Sequence, residues 1–289
     1  MSMWIPVLNE TENEAKQEVF EILKASQHAF IRKNAAAEAR IILRALPQQE
    51  ARSASLRRAE AEPLQYILGK QWVLNHDYRV RPGVLIPRPE TEWMISRIVR
   101  ELKKNNFKEK QWLGCEIGFG SGAISIELLS EFQNLKMVAT DISLEAHSCA
   151  MENAVDILGS LDRLCLVYPT AEDDVILDQL KESEPNQFQF LVSNPPYLCC
   201  VEDEIEYDVL NFEPKKALFP VAKDPLYFYN EIAANAGLIL KGNGKIFLEI
   251  PHERAGQIFI LFKKFGWSCV LEKDLTGRFR FLSGVKNYG

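Results

Sequence analysis

Apolar positions recur along the chain at two different spacings, and the change from one to the other divides it. Val19, Phe20, Ile22 and Leu23 follow helical spacing, and Ala35 to Leu46 is a strongly helix-favouring run that Pro47 ends. A further helix rich in Ala, Arg and Glu is predicted over Gln48 to Ala61, and no strand pattern interrupts the stretch from about Glu12 to Arg58. The prediction is a small N-terminal all-α domain placed before an α/β one. Either a packing extension or a docking surface for a macromolecular partner fits it. Pro63 to Gly69 then leads into Trp72 to Val80, where β-favouring residues predominate. Arg81-Pro82-Gly83 reads as a turn and Val84-Leu85-Ile86 as the next extended piece, which together predict a hairpin linking the domains. Pro89, followed by Glu90 and Glu92, suits a helix amino terminus. That helix is predicted to reach about Lys104 and to turn Trp93, Ile95, Ile98, Val99 and Leu102 partly inward.

From Trp112 the alternation of strand and helix patterns becomes regular. Strands are predicted over Trp112 to Ile117, Leu135 to Thr140, Leu164 to Val167, Phe188 to Ser193, Lys245 to Ile250, Ser268 to Lys273 and Phe279 to Ser283. Helices fall between them at Gly122 to Phe132, Leu144 to Leu158, about Pro225 to Leu238 and His252 to Phe265. Such alternation implies a mostly parallel sheet covered on both faces. The expected division is residues 1–70 as a helical docking domain, 71–90 as a hairpin linker and 91–289 as the α/β domain.

Two loops at the ends of these strands carry candidate chemistry. The run Phe190-Leu191-Val192-Ser193 ends in Asn194-Pro195-Pro196-Tyr197, which cannot continue a strand because successive prolines lack the N–H that a ladder needs. Ligands of open α/β sheets bind at such carboxyl-end loops. Asn194 offers a side-chain carbonyl and Pro195 a main-chain carbonyl free of ladder duty. Two acceptors at a fixed angle fit a planar NH2 group, whose delocalised lone pair makes it a poor nucleophile until it is oriented. Tyr197 adds a flat apolar face with a polar tip. An isolated Asn-Pro-Pro-Tyr is equally a proline-terminated strand with an Asn-initiated turn.

The second loop is Glu116-Ile117-Gly118-Phe119-Gly120-Ser121-Gly122-Ala123, joining the first strand of this sheet to its helix. It fits G-x-G-x-x-[GA], and Asp141 falls at the end of the next strand, where a carboxylate takes ribose hydroxyls. A dinucleotide site is one reading. The acidic Glu116 favours S-adenosylmethionine, whose ammonium and sulfonium groups suit a negative charge that would repel a pyrophosphate. The pairing with Asn194-Pro195-Pro196-Tyr197 points the same way. The candidate cofactor-binding residues are therefore Glu116, Gly118, Phe119, Gly120, Ser121, Gly122, Asp141 and Asn194.

Composition narrows the class further. A net charge of −6 over 289 residues argues against holding long duplex nucleic acid by phosphate neutralisation. Six cysteines, at 115, 149, 165, 199, 200 and 269, form no C-x-x-C pair and read as reduced core residues. His28, His76, His147 and His252 have no spacing that suggests a metal site or a triad. No apolar run approaches a membrane span and the amino terminus lacks a signal-peptide pattern, so a cytoplasmic protein is expected. Arg88, after a proline near the domain junction, reads either as a contact to substrate or cofactor or as a solvated or helix-capping charge, and Glu249, at the end of a strand on the functional edge, either as a support of the pocket or as a structural residue.

Several segments together resemble the protein-(glutamine-N5) methyltransferases that act on peptide-chain release factors. They are Pro63 to Gly69, Leu85-Ile86-Pro87-Arg88-Pro89-Glu90-Thr91-Glu92, the glycine loop, Val192 to Tyr197, Glu213-Pro214 with Ala217-Leu218-Phe219, and Asp274 to Arg278. Asn-Pro-Pro-Tyr is shared with amino-methylating DNA enzymes, whereas the Leu85 to Glu92 segment is much more restricted. The resemblance implies a class I methyltransferase fold, Rossmann-like with a seven-stranded mostly parallel sheet. It also implies S-adenosylmethionine as methyl donor and a helical domain that helps grip the release factor. Gly118 to Gly122 would line the cofactor, Asp141 hold the ribose, and Asn194, Pro195, Pro196 and Tyr197 bind the glutamine of a Gly-Gly-Gln loop. A monomer without a stable nucleic-acid or membrane partner is expected. Glu116 stands where the family usually has Asp, and Phe119 where a small residue is common. Tyr168 to Asp173, where an adenine contact is expected, aligns poorly, and Phe219 to Asp224 lacks the usual glycines. The alternatives are a ribosomal-protein glutamine methyltransferase, a nucleic-acid adenine N6-methyltransferase and a non-catalytic binding protein.

Overall fold

The computed structural model describes residues 10–104, 111–168, 187–199, 201–220 and 223–286, which group into two compact units. The first comprises residues 1–70 together with 205–212. Its helices are α1 (Glu10–Lys24), α2 (Ala29–Ala45), α3 (Gln48–Ala59) and the short α4 (Leu64–Leu68). Their shared core joins Val19, Leu23, Ile31 and Ile42 to Ala35, Ala39, Ala51 and Ala54, where the small side chains let the helices approach closely. A later helix, α8 (Tyr207–Phe212), belongs to the same unit. Its Asp208 lies 3.8 Å from Arg58, whose guanidinium also donates to both carboxylate oxygens of Glu38 at 2.8 and 2.9 Å. Pairing offsets the desolvation of these two buried charges. The Tyr207 ring lies against His28 with centroids 4.5 Å apart.

The second unit comprises 71–204 and 213–289. It opens with a hairpin of β1 (Lys70–Val73), whose first residue belongs to the first unit, and β2 (His76–Arg79). Its turn falls at Leu74-Asn75 rather than at Arg81-Pro82-Gly83 as the sequence predicts. Leu74 adopts a left-handed φ of 48°, held by Trp72 Nε1 donating to its carbonyl at 2.9 Å and by its own N–H donating to Glu92 at 3.2 Å. Arg81-Pro82-Gly83 still turns, with Val84 N–H donating to the Arg81 carbonyl, but Val84 to Ile86 form no strand.

Then follow α5 (Pro89–Lys104), β3 (Trp112–Ile117), α6 (Ala123–Glu131), β4 (Leu135–Thr140), α7 (Leu144–Leu158), β5 (Leu164–Val167) and β6 (Phe188–Ser193). The chain ends through α9 (Lys215–Leu218), α10 (Tyr227–Ile239), β7 (Leu240–Glu249), α11 (Ala255–Lys264), β8 (Trp267–Lys273) and β9 (Phe279–Lys286). Among the described residues the sheet has seven strands in the order β5-β4-β3-β6-β7-β9-β8. β5, β4, β3, β6 and β7 run parallel, and β9 pairs antiparallel with both β7 and β8. One face packs Ile98, Ile124 and Leu128 against Phe190 and Val192; the other packs Ile232, Ile258 and Phe262 against Leu191 and Ile246. The central strands β3 and β6 and the second half of β7 are thus buried on both faces, which is why they read as largely apolar runs.

The order matters for the site. From β3 the chain winds outward through β4 and β5, then returns to lay β6 on the other side of β3. The crevice beyond the carboxyl ends of β3 and β6 is the topological switch point, where open α/β sheets bind ligands. Cys115 and Cys149 are buried as expected, but Cys165 is exposed and Cys199 and Cys269 are only partly covered. Cys165 is on β5, the last strand in the sheet order on that side among the described residues, where β4 pairs with it.

Candidate active site

At the switch point Ile117 pairs with Ser193, and the Ser193 hydroxyl donates to the Ile117 carbonyl at 2.8 Å. This ties together the roots of the two loops that follow. After β3 the backbone takes positive φ at Gly118, Gly120 and Gly122. After β4 both oxygens of Asp141 hold the turn: one accepts the Gly120 N–H at 2.8 Å and the other the Ser143 N–H at 2.9 Å. Burial raises the Asp141 pKa, and these backbone donors oppose the rise by favouring the carboxylate. Ser143 in turn caps α7, its hydroxyl accepting the Ala146 N–H at 3.1 Å.

A cavity of about 550 Å³ opens here. Of the residues singled out by sequence, Gly118, Gly120, Asp141, Asn194, Pro195 and Pro196 line it. Glu116, Phe119, Ser121, Gly122 and Tyr197 do not; they lie behind the loops and support them. Phe119 is buried in the core against α6 and α7. The Ser121 carbonyl accepts from Asn153 Nδ2 at 2.9 Å. A Cβ on Gly122 would come within 2.9 Å of Ile126 and 3.1 Å of Ala150. Tyr197 is half-buried in the core on the other face, where burial pushes its phenol pKa up.

Glu116 departs most from its expected part. Its carboxyl is 1% exposed and accepts from both the backbone N–H and the hydroxyl of Ser125 in α6. Burial lifts its pKa to about 8, so near neutral pH it is largely uncharged and turned inward rather than offered as an anion to the cavity.

The loop after β6 is held by Thr91, to which the sequence assigned no role in the site, and through it by Glu249, whose support of the pocket was one of two readings. Asn194 Nδ2 donates to the Thr91 hydroxyl oxygen at 3.3 Å, and the Thr91 hydroxyl donates to Glu249 Oε2 at 2.8 Å. Thr91 sits in the first turn of α5 and Glu249 ends β7, 2% exposed. Burial raises the Glu249 pKa to about 7. Among the described residues no backbone hydrogen bond ends on the Pro195 carbonyl. Arg88 is not merely solvated: it pairs with Glu213, which also accepts the Ile86 N–H at 3.1 Å. Glu213-Pro214 therefore clamps the segment leading into α5. The only sign of Thr91 was its place in the restricted Leu85 to Glu92 segment.

Further walls come from Leu85, Ile142, Leu144, Tyr168, Lys216 and Phe228. Of the segment where an adenine contact was expected, Tyr168 lines the cavity and 169–173 fall outside the described residues. The donor set fits S-adenosylmethionine: a carboxylate for vicinal hydroxyls, apolar and aromatic walls for a base, and a glycine turn where a Cβ on Gly120 would meet nothing within 4 Å.

Sheet order, switch-point cavity and the two loops define a class I, S-adenosylmethionine-dependent methyltransferase. The solved structure of a methyltransferase from Pyrococcus furiosus has the same fold, with a TM-score of 0.51 and 21% identity over 73% of this chain and 89% of that one. No protein-family model matches the chain. The chain belongs to the release factor glutamine methyltransferases. It is 35% identical over 227 residues to the release factor glutamine methyltransferase of Flavobacterium psychrophilum, spanning 77% of this chain and 75% of that protein. It is 34% identical over 245 residues to that of Bacteroides thetaiotaomicron, spanning 84% and 83%.

Proposed function

We propose that the chain methylates the N5 side-chain nitrogen of the glutamine in the Gly-Gly-Gln loop of a peptide-chain release factor. The observation that carries this reading is the Asn194 amide, whose NH2 end is committed to Thr91, so that Oδ1 is free to accept. Beside it the Pro195 carbonyl offers a second acceptor. A primary carboxamide presents two N–H groups in one plane, the complement of such a pair. The names of the relatives supply the protein on which that glutamine sits.

In the reaction Asn194 Oδ1 and the Pro195 carbonyl each accept one amide hydrogen and hold the nitrogen with its lone pair toward the cavity. The bound cofactor supplies an electrophilic methyl on a cationic sulfonium. Orientation carries the rate. Methyl transfer would break the methyl–sulfur bond and leave a neutral thioether as the N–C bond forms; the amide nitrogen, then cationic and acidic, would lose one proton to solvent, so no strong base is needed. Asp141 and the backbone of Gly118 and Gly120 hold the cofactor, with Glu116, Phe119, Ser121 and Gly122 setting the loop's shape from behind. Tyr197 stiffens the wall of the amide pocket. The helical unit, residues 1–70, is the docking surface for the release factor, and 71–90 joins it to the catalytic domain.

The enzyme works in the cytoplasm as a monomer, without a stable nucleic-acid or membrane partner. Its acidic balance supports the absence of a stable nucleic-acid partner. No helix among the described residues is long and apolar enough to cross a membrane.

Asn194→Ala tests the assignment. Turnover should fall by about two orders of magnitude or more while cofactor affinity, read by titration calorimetry, stays within a few-fold. Near-normal turnover would remove Asn194 from the chemistry.

A further inference from the structure

We infer that Thr91 and Glu249 are positioning residues that decide which way round the Asn194 amide lies. The inference rests on the amide-acceptor reading above and adds to it the source of the acceptor's orientation.

A primary amide side chain is nearly symmetric in shape, and its two ends differ only in hydrogen bonding. Turned one way, Asn194 shows the substrate a carbonyl oxygen. Turned by 180°, it shows an NH2 group, donor against donor, and cannot hold the substrate nitrogen. Something must choose between these, and a carboxylate at the end of a relay does so because it is acceptor-only. The Glu249 carboxylate takes the single hydroxyl hydrogen of Thr91 at 2.8 Å. Thr91 is then left with lone pairs alone to offer at 3.3 Å, and only the NH2 end of Asn194 can meet them. Oδ1 is thereby forced to the other side. Three elements contribute one residue each: α5 gives Thr91, β7 gives Glu249, and the loop after β6 gives Asn194.

The surroundings keep the relay from being short-circuited by water. Thr91 is 5% and Glu249 2% exposed. Tyr229 is occupied in donating to the Glu249 main-chain carbonyl at 2.9 Å. The charged groups that act on the Glu249 carboxyl are Glu90, Arg280 and Arg88, and the phenols of Tyr197 and Tyr229 interact with it electrostatically. Burial dominates over the two arginines and raises the Glu249 pKa to about 7. Once protonated, the carboxyl can donate to Thr91 as well as accept from it and no longer dictates the direction of the relay. Catalytic orientation is therefore present above pH about 7 and lost as pH falls through that value.

Thr91→Val removes the hydroxyl with little change of volume, Thr91→Ser keeps it, and Glu249→Gln replaces the acceptor-only group by one that also donates. Turnover and KM for intact release factor are measured from pH 5.5 to 9, with cofactor affinity by calorimetry, beside Asn194→Ala. Thr91→Val should lose about tenfold or more in kcat with KM and cofactor affinity within about threefold, and Thr91→Ser should recover most of the loss. Glu249→Gln should lower kcat and abolish the acid limb of the wild-type profile. Wild-type kcat in Thr91→Val, equal damage in Thr91→Val and Thr91→Ser, or an acid limb that persists in Glu249→Gln overturns the relay. If Asn194→Ala is inactive in the same assay, such a result condemns the relay alone. Full activity in Asn194→Ala condemns the amide-acceptor reading beneath it.

Discussion

Glu116 and Glu249 are both carboxyls near the carboxyl ends of sheet strands, and burial shifts both in the same direction for different uses. At Glu116 the desolvation penalty outweighs two bonds from Ser125, and its pKa rises from 4.5 to about 8. The native state then binds a proton that the unfolded chain releases above pH 4.5. Its contribution is fully present below the unfolded pKa and is lost as pH rises through the folded one. Glu116→Gln has no such proton to lose. Denaturant titrations at a series of pH values should show the stability of the wild type, relative to this variant, falling between about pH 4.5 and 8 and levelling beyond. Parallel curves would mean that the carboxyl is ionised in the folded protein. The sequence revealed an acid at this position but not the direction it faces. An electrostatic role toward a cation was a fair reading of the letter and missed the burial. Thr91 was harder still, because a hydroxyl in the first turn of a helix has ordinary uses and only the fold brings it to Asn194.

The glycine loop shows what the element requires beyond single side chains. Gly122 caps α6 at φ 83°, and a Cβ there would come within 2.9 Å of Ile126 and 3.1 Å of Ala150. Gly122→Ala should cost about 1–2 kcal/mol in backbone strain alone, with crowding between α6 and α7 added. Thermal denaturation should register a clear fall in Tm, and an unchanged Tm would show that the loop can relax. The central parallel strands were legible because burial on both faces makes them largely apolar. β7 was read only from Lys245, whereas its pairing with β6 reaches back to Leu240 across the polar, glycine-containing Lys241-Gly242-Asn243-Gly244. The hairpin turn was assigned to Arg81-Pro82-Gly83 because its turn signal is stronger than that of Leu74-Asn75. A leucine at positive φ has no sequence signature.

For the molecule as a whole, the alternation of elements was enough to foresee a helical unit ahead of an α/β unit. The return of residues 205–212 to the helical unit was not foreseen. That return depends on Tyr207 meeting His28 and on Asp208 meeting Arg58, pairs far apart in sequence that no periodicity links. The chain thus leaves the Asn194 to Tyr197 loop and passes into the helical unit before rejoining the catalytic one at Glu213. Recognition of a protein substrate by one unit and chemistry by the other is the division of labour proposed here.

Methyl transfer from radiolabelled S-adenosylmethionine tests it most directly, with purified release factor, its Gly-Gly-Ala variant and a ribosomal protein fraction in parallel. Label on the wild-type factor and on neither of the others is the predicted result. Equal label on the Gly-Gly-Ala variant, or label confined to the ribosomal fraction, would contradict the assignment of the glutamine target.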